Sequence, residues 1–197
     1  EPLVLDSLSA LVSREGKYQV DAAESGRRAL EKINAESYAI IITDLMLTDM
    51  TGNELLKSVK VNMPETQVIM VSGKGTIDLA VEAMKMGAFD FLTKPYSPPH
   101  LLQILDRARA SYESLLQNRQ LKGETEQYMK EAEDSGAYAD APGQKETVTG
   151  LYLEGIEAYQ SYDLDTAEER FGAAREAALD TLRMARQKRD SRQAEEK

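Results

Sequence analysis

The run Ile40-Ile41-Ile42-Thr43, closed by Asp44 and followed by Leu45-Met46, constrains this chain more than any other stretch. β-Branched residues in an unbroken apolar run, bounded by polar ones, predict a strand buried on both faces. The carboxylate then stands at the carboxyl end of that strand, the edge where open α/β sheets gather ligands and chemistry. A carboxylate there can ligate a metal, act as a nucleophile or cap a helix. Behind it, Thr48-Asp49-Met50-Thr51-Gly52 is turn-rich, and Asn53-Glu54-Leu55-Leu56-Lys57-Ser58-Val59 resumes helical spacing. The unit reads strand, acidic loop, helix.

The rest of the first half repeats this alternation. Val4, Leu8, Leu11 and Val12 recur at helical spacing, with Pro2 suited to the first turn and Gly16 to the close. Tyr18-Gln19-Val20-Asp21-Ala22 reads as a short strand. Glu24 to Ala35 reads as an amphipathic helix with Ala29, Leu30 and Ile33 inward. A third helix runs from about Gly52 to Val61, and Pro64 marks a turn. Gln67-Val68-Ile69-Met70-Val71 is a second buried strand, ending at Ser72-Gly73-Lys74-Gly75. Thr76 caps a helix over Ile77 to Met86, which Gly87 stops. Ala88-Phe89-Asp90-Phe91-Leu92 is the last strand, ending at Thr93-Lys94-Pro95, and Pro98-Pro99 open a fifth helix. Parallel strands need crossover helices, so strict alternation predicts a doubly wound α/β domain. Its strand ends bring Asp44, Ser72 and Lys94 to one rim. A carboxylate, a hydroxyl and an ammonium together supply a nucleophile, a hydrogen-bond donor and a fixed positive charge, a set suited to phosphoryl transfer.

Composition narrows the function classes. The 197 residues suffice for one ordinary domain plus an appendage. A formal net charge of -10 argues against nucleic-acid binding as the main activity, because phosphate backbones need a basic footprint. The absence of cysteine excludes disulfides, thiolate metal sites and cysteine nucleophiles. No apolar run approaches the roughly 20 residues of a membrane span, and no basic-then-apolar leader opens the sequence. The expectation is a cytoplasmic protein with no membrane partner.

On these motifs, residues 1 to about 112 resemble a bacterial two-component response-regulator receiver domain. Ile40-Ile41-Ile42-Thr43-Asp44-Leu45-Met46 matches the phospho-acceptor strand of that family. Val68-Ile69-Met70-Val71-Ser72-Gly73 matches the strand with the switch hydroxyl, and Gly87-Ala88-Phe89-Asp90-Phe91-Leu92-Thr93-Lys94-Pro95 the final strand and its lysine. Gly75-Thr76-Ile77-Asp78 and Ala80-Val81-Glu82-Ala83-Met84-Lys85 are similar to receivers of the nitrogen-regulator type. The resemblance implies a flavodoxin-like sheet and a role for each residue. Asp44 would accept a phosphoryl group from a histidine kinase. Mg²⁺ would bridge Asp44, the backbone carbonyl of Met46 and the phosphoryl oxygens. Ser72 would donate to a phosphoryl oxygen, Phe91 would be the aromatic switch, and Lys94 would pair with Asp44 and precede a cis bond to Pro95. Any chemistry would be self-catalysed phosphotransfer and dephosphorylation, so the chain is not expected to be an enzyme in the ordinary sense.

Two departures stand out. Thr48 occupies a position where the family usually has proline. The family also begins with an apolar strand ending in an acidic pair that supplies most of the Mg²⁺ site, and Glu1-Pro2 resembles the family's residues just after that pair. The reading is a receiver truncated at its N-terminus and lacking its first strand, with a naturally degenerate receiver as the alternative. Mg²⁺ binding, and phosphorylation of this polypeptide alone, are then expected to be impaired.

Beyond the receiver, Tyr112, Leu115, Leu116, Leu121 and Tyr128 carry the fifth helix on to about Asp134, so residues 113–147 read as a helical extension and linker. Ser135-Gly136-Ala137-Tyr138-Ala139-Asp140-Ala141-Pro142-Gly143 reads as a flexible break. Residues 148–197 read as a helical hairpin. Within it Gly155, Ala167, Phe171 and Ala174 fall at the small and aromatic positions of a tetratricopeptide repeat, over about residues 148–181. A single such unit needs a partner for its open face, because repeats normally bury one another. The candidates are the extended fifth helix, the receiver or another chain.

Other residues have bland readings beside sharper ones. His100 reads as solvated at a helix start, Lys74 and Met46 as exposed loop residues where receivers tune dephosphorylation, and Tyr138 as a disordered linker residue. The basic run Arg183, Arg186, Lys188, Arg189 and Arg192 suits a helix C-terminus. No Walker loop or helix-turn-helix is visible. The sequence predicts a phosphorylation-dependent switch that relays phosphate on Asp44 through a helical interaction module. Expected partners are a histidine kinase, a protein partner of the tail and, in a homodimer, a second copy of the chain. The rivals are a phosphorylation-incompetent scaffold and a DNA-binding regulator.

Overall fold

The computed structural model describes residues 2–73 and 76–195, with side chains described for residues 8–73 and 76–194. Readings placed on Lys74, Gly75 and the side chain of Val4 lie outside the described residues. The chain divides into two compact units, Glu1–Glu113 and Ser114–Lys197.

The first unit alternates helices and strands: α1 (Pro2–Arg14), α2 (Gly26–Ala35), β1 (Ile40–Asp44), α3 (Gly52–Asn62), β2 (Gln67–Ser72), α4 (Ile77–Lys85), β3 (Asp90–Thr93) and the start of α5 (Pro98–Asp134). The three strands form a parallel sheet in the order β1-β2-β3. β2 is buried at every position, and its alternating side chains serve both faces. Val68 and Met70 pack with Ile33, Leu55, Leu56, Val59 and Ala83 from α2, α3 and α4. Ile69 and Val71 pack with Val12 of α1 and with Leu101, Ile104, Leu105 and Ala108 of α5. Helices thus cover both faces of a parallel sheet, the doubly wound α/β arrangement that the alternation predicts. Local caps set the helix starts. Thr51 and Glu54 form a reciprocal capping box on α3, and the Thr76 side chain accepts from the Leu79 amide at the start of α4.

One expected strand is not formed. Residues 18–22 carry no ladder, because an extended segment becomes a strand only where a neighbour takes its backbone groups. β1 pairs with β2 alone among the described strands, and none of them pairs with residues 18–22. Two phenols hold the segment instead. Tyr18 donates to Asp106 of α5 at 3.0 Å, and Tyr38 donates to Asp21 at 2.7 Å. Tyr18 and Val20 still pack against the sheet beside Ile40 and Ile42.

The second unit comprises the remainder of α5, a 3₁₀ turn (Ala137–Ala139), α6 (Pro142–Gln160) and α7 (Leu164–Glu195). Phe171 of α7 is fully buried, with Tyr152 and Tyr159 of α6 at ring-centroid distances of 5.9 and 6.5 Å. A Cβ on Gly155 would lie 2.6 Å from the Phe171 ring, so the glycine permits the close approach. The partner for this hairpin is the extended fifth helix. Thr125 donates to the Phe171 carbonyl at 3.1 Å, the Asn118 side-chain Nδ2 to the Leu164 carbonyl at 3.1 Å, and Arg175 pairs with Glu124 at 2.9 Å. Gly123 does not interrupt the helix.

The segment expected to be a flexible break is folded. Gly136, at φ 72°, turns the chain into the 3₁₀ turn, and Ala137 and Tyr138 are buried in a cluster with Ala132, Val148, Ala178 and Leu182. Turn-forming residues predicted the change of direction. They could not show that the tyrosine between them fills a core. Tyr138 is therefore a packing residue rather than a disordered one.

Candidate functional site

Parallel register builds the site. Asp44, the last residue of β1, aligns with Val71, and Ser72, the last residue of β2, aligns with Thr93. The Leu45 amide donates to the Val71 carbonyl and the Lys94 amide to the Ser72 carbonyl, both at 2.8 Å, so the ladder continues one residue past each strand end. Asp44, Ser72 and Lys94 thus share the carboxyl rim that sequence alone assigned them.

The first and last of these are in direct contact. Lys94 Nζ lies 2.7 Å from Asp44 Oδ2, with both side chains about one-third exposed or less, at 28% and 33%. Asp44 Oδ1 accepts from the Met46 amide at 3.0 Å. One carboxylate oxygen is therefore held by an ammonium and the other by a backbone amide, while the group stays open to solvent. Ser72 is buried, at 2% exposure. Phe91 is half-buried, aligns with Met70 and packs on the α2–α3–α4 side of the sheet. The Lys94–Pro95 peptide bond is cis. Met46 is exposed beside the acceptor, and His100 is exposed on the first turn of α5.

The loop after Asp44 is closed in two ways. At its base the Gly52 amide donates to the Leu45 carbonyl at 2.8 Å, and Met46 bridges Thr51. A Cβ on Gly52 would lie 2.4 Å from the Asp44 carbonyl, so only glycine fits there. At its tip Asp49 reaches the start of α2, where Oδ1 accepts from the Gly26 amide and Oδ2 from the Arg27 amide, both at 2.9 Å. The Arg27 amide bond is the first cause holding the Asp49 carboxyl below its usual range. Sequence reasoning read Asp49 only as a turn residue. The available signal lay elsewhere: α2 opens on Gly26-Arg27-Arg28 with no acidic residue in its first turn. That composition is unfavourable at the positive end of a helix dipole unless a carboxylate is supplied from outside.

The chain matches the response regulator receiver domain family over residues 1–106. Among curated proteins it is 35% identical to the nitrogen assimilation regulatory protein NtrX of Azorhizobium caulinodans, covering 62% of this chain and 27% of that protein. It is 34% identical to the transcriptional regulatory protein ZraR of Escherichia coli, covering 55% of this chain and 24% of that protein. The chain thus spans only about a quarter of the length of these relatives. Among solved structures, the receiver domain of NtrX from Brucella abortus superposes with a TM-score of 0.53 at 31% identity, covering 56% of this chain and 92% of that one. A beryllofluoride-activated NtrC4 receiver domain dimer gives a TM-score of 0.54 at 36% identity, covering 57% and 92%.

Receiver domains generally bind Mg²⁺ at the phosphorylation site. Mg²⁺ requires near-octahedral oxygen coordination. Among the described residues no group of three acidic, histidine or cysteine side chains converges, and both Asp44 oxygens already accept hydrogen bonds. Asp44 and the Met46 carbonyl would supply two of the ion's oxygen donors.

Proposed function

Because this chain belongs to the response regulator receiver domain family, we propose that it is a signalling switch whose phospho-acceptor is Asp44. The observation that carries the reading is the pairing of Lys94 Nζ with Asp44 Oδ2 at 2.7 Å on the carboxyl rim of a parallel sheet. A histidine kinase is the proposed donor. An Asp44 carboxylate oxygen attacks the phosphorus of a phosphohistidine. The P–N bond breaks, its electron pair returns to the imidazole, and an acyl phosphate remains on Asp44. Lys94 offsets the charge brought in as one anion approaches another, and the Ser72 hydroxyl is the donor for a phosphoryl oxygen. Water attacking the phosphorus then restores the carboxylate and releases inorganic phosphate. Phosphate on Asp44 favours an inward Ser72 and Phe91, a shift between two populations rather than a new fold.

We assign the α5–α6–α7 unit to output through protein contact, with its Gly155–Phe171 hairpin similar to one tetratricopeptide unit. The relatives' own names concern transcriptional regulation and nitrogen assimilation. For this chain a DNA-binding output is not favoured. Within its basic run Arg183 pairs with Asp180, Arg186 with Glu131 and Lys188 with Asp140.

The test is intact mass after prolonged incubation with excess acetyl phosphate, for the chain and for Asp44→Ala. The expected result is slow formation of a single phosphoryl adduct that the variant lacks, with little acceleration by Mg²⁺. Lys94→Ala should slow adduct formation by roughly 10²-fold, the scale of removing one electrostatic stabiliser. Among the described residues no three acidic or histidine side chains converge, and this favours one second reading, a scaffold that is not phosphorylated. Absence of any adduct, with partner binding indifferent to Asp44→Ala, selects it.

A further inference from the structure

We infer that Asp49 is a positioning residue for phosphoryl transfer: it fastens the loop that carries the acceptor's surroundings to the first turn of α2. The inference rests on the phospho-acceptor reading of Asp44 and adds a second element to that site. Two independent features of the loop tip support it. The Asp49 carboxylate takes the Gly26 and Arg27 amides, both at 2.9 Å, so each of its oxygens is committed. Next to it Met50 is seated where a side chain on residue 26 would otherwise be. A Cβ on Gly26 would lie 2.4 Å from Met50 Cγ and 3.1 Å from Leu47 Cδ1. The two features act on neighbouring residues, Asp49 and Met50, and both end on Gly26.

The consequence runs back along a short chain to the acceptor. Leu47 donates its amide to the Met50 carbonyl at 3.2 Å, and Met46 donates its amide to Asp44 Oδ1 at 3.0 Å. With the base of the loop already closed at Leu45–Gly52, the tip is the remaining freedom. The clamp removes it. It also completes α2. The Ser25 side chain accepts from the Arg28 amide, and Asp49 takes the two amides before it. These are backbone donors that a helix start leaves without intrahelical partners. A carboxylate at the positive end of the helix dipole is favourable in its own right, and here it comes from another segment. Releasing it frees the loop while α2 keeps its Ser25 cap and its buried Ile33.

The experiment compares the full chain with Asp49→Ala, Asp49→Asn and, as a control, Asp21→Ala. Asp21 also faces α2, through Lys32 at 3.6 Å, and accepts from Tyr38 at 2.7 Å rather than from an α2 amide. Adduct formation is followed by intact mass over a range of acetyl phosphate concentrations, at a temperature where circular dichroism shows every variant fully folded. Asp49→Ala should lower the limiting rate about tenfold with little change in the half-saturating acetyl phosphate concentration. That is short of the roughly 10²-fold that a 1 Å misplacement can cost. Asp49→Asn, which keeps one acceptor oxygen, should recover part of the rate, and Asp21→Ala should match the parent. Hydrogen exchange is measured on the same proteins. Asp49→Ala should lose protection at Met46 and Leu47 together with Gly26 and Arg27. An unchanged limiting rate, or an equal loss in Asp21→Ala, overturns the inference. If the parent takes no adduct, the phospho-acceptor reading fails by itself. The exchange measurement then decides the clamp: unchanged protection at Met46 and Leu47 overturns it, and loss there supports it.

Discussion

Single residues in this protein are constrained by what lies within a few ångströms, and identical residue types diverge accordingly. Gly155 and Gly123 both sit inside helices. Gly155 faces the Phe171 ring at 2.6 Å, whereas a Cβ on Gly123 would meet nothing within 4 Å. Gly123→Ala should stabilise the chain by about 1 kcal/mol, since alanine loses less backbone entropy in a helix. Gly155→Ala gains the same propensity but overpacks the hairpin, at about 1–3 kcal/mol. Urea denaturation should show a net loss. A second residue-scale prediction concerns Tyr38. The bond it donates to Asp21 raises its pKa to about 12 from an ordinary value of 10.0 and lowers that of Asp21. A raised folded-state value means the Tyr38 contribution is complete below pH 10 and is lost as pH rises through about 12. For Asp21 the sign is reversed: its contribution is present above its ordinary value of 3.8 and disappears as pH falls through the depressed one. An NMR titration should place Tyr38 well above its ordinary value, and Asp21→Asn should return it toward 10.0.

At the scale of elements, burial separates the parts that hold the structure from the parts that ride on it. The last buried residue of α7 is Ala185, and residues 186–194 are exposed. The contacts this stretch makes are surface pairs such as Arg186–Glu131 and Lys188–Asp140. Exposed pairs of this kind contribute about 0–1 kcal/mol. Removing residues 187–197 should therefore shift the unfolding midpoint little. Phe171→Ala, in the same helix, should cost about 3–5 kcal/mol through lost burial and the cavity it leaves. Thermal melts of the two variants check the contrast. The sheet shows the same separation. β2 is buried along its length between two neighbours, whereas residues 18–22 lack a ladder. Amide exchange should be slowest in β2 and fast over 18–22.

At the scale of the whole molecule, each compact unit has hydrophobic clusters of its own among the described residues. The two clusters flanking the sheet end at Ala108, and the two in the helical unit begin at Leu121. Phe171→Ala should raise exchange throughout α6 and α7, and Leu56→Ala should raise it in β2; unchanged exchange in either case would refute the assignment of that residue to its core. Much of this plan was legible in the chain. The Ile40–Asp44 run, the alternation of strand and helix and the spacing of Asp44, Ser72 and Lys94 determined a parallel sheet with those groups on one rim. Side-chain periodicity and strand direction are local properties that fix which end of a strand a residue occupies. What the tertiary structure decided depended on partners distant in sequence. Residues 18–22 have strand composition but no described strand to pair with, Tyr138 fills a core formed by α5, α6 and α7, and the open face of the hairpin is closed by Asn118, Glu124 and Thr125 of α5. Asp49 belongs with these. Its carboxylate serves amides more than twenty residues earlier, and no local pattern records a bond whose two ends meet only when the chain has folded.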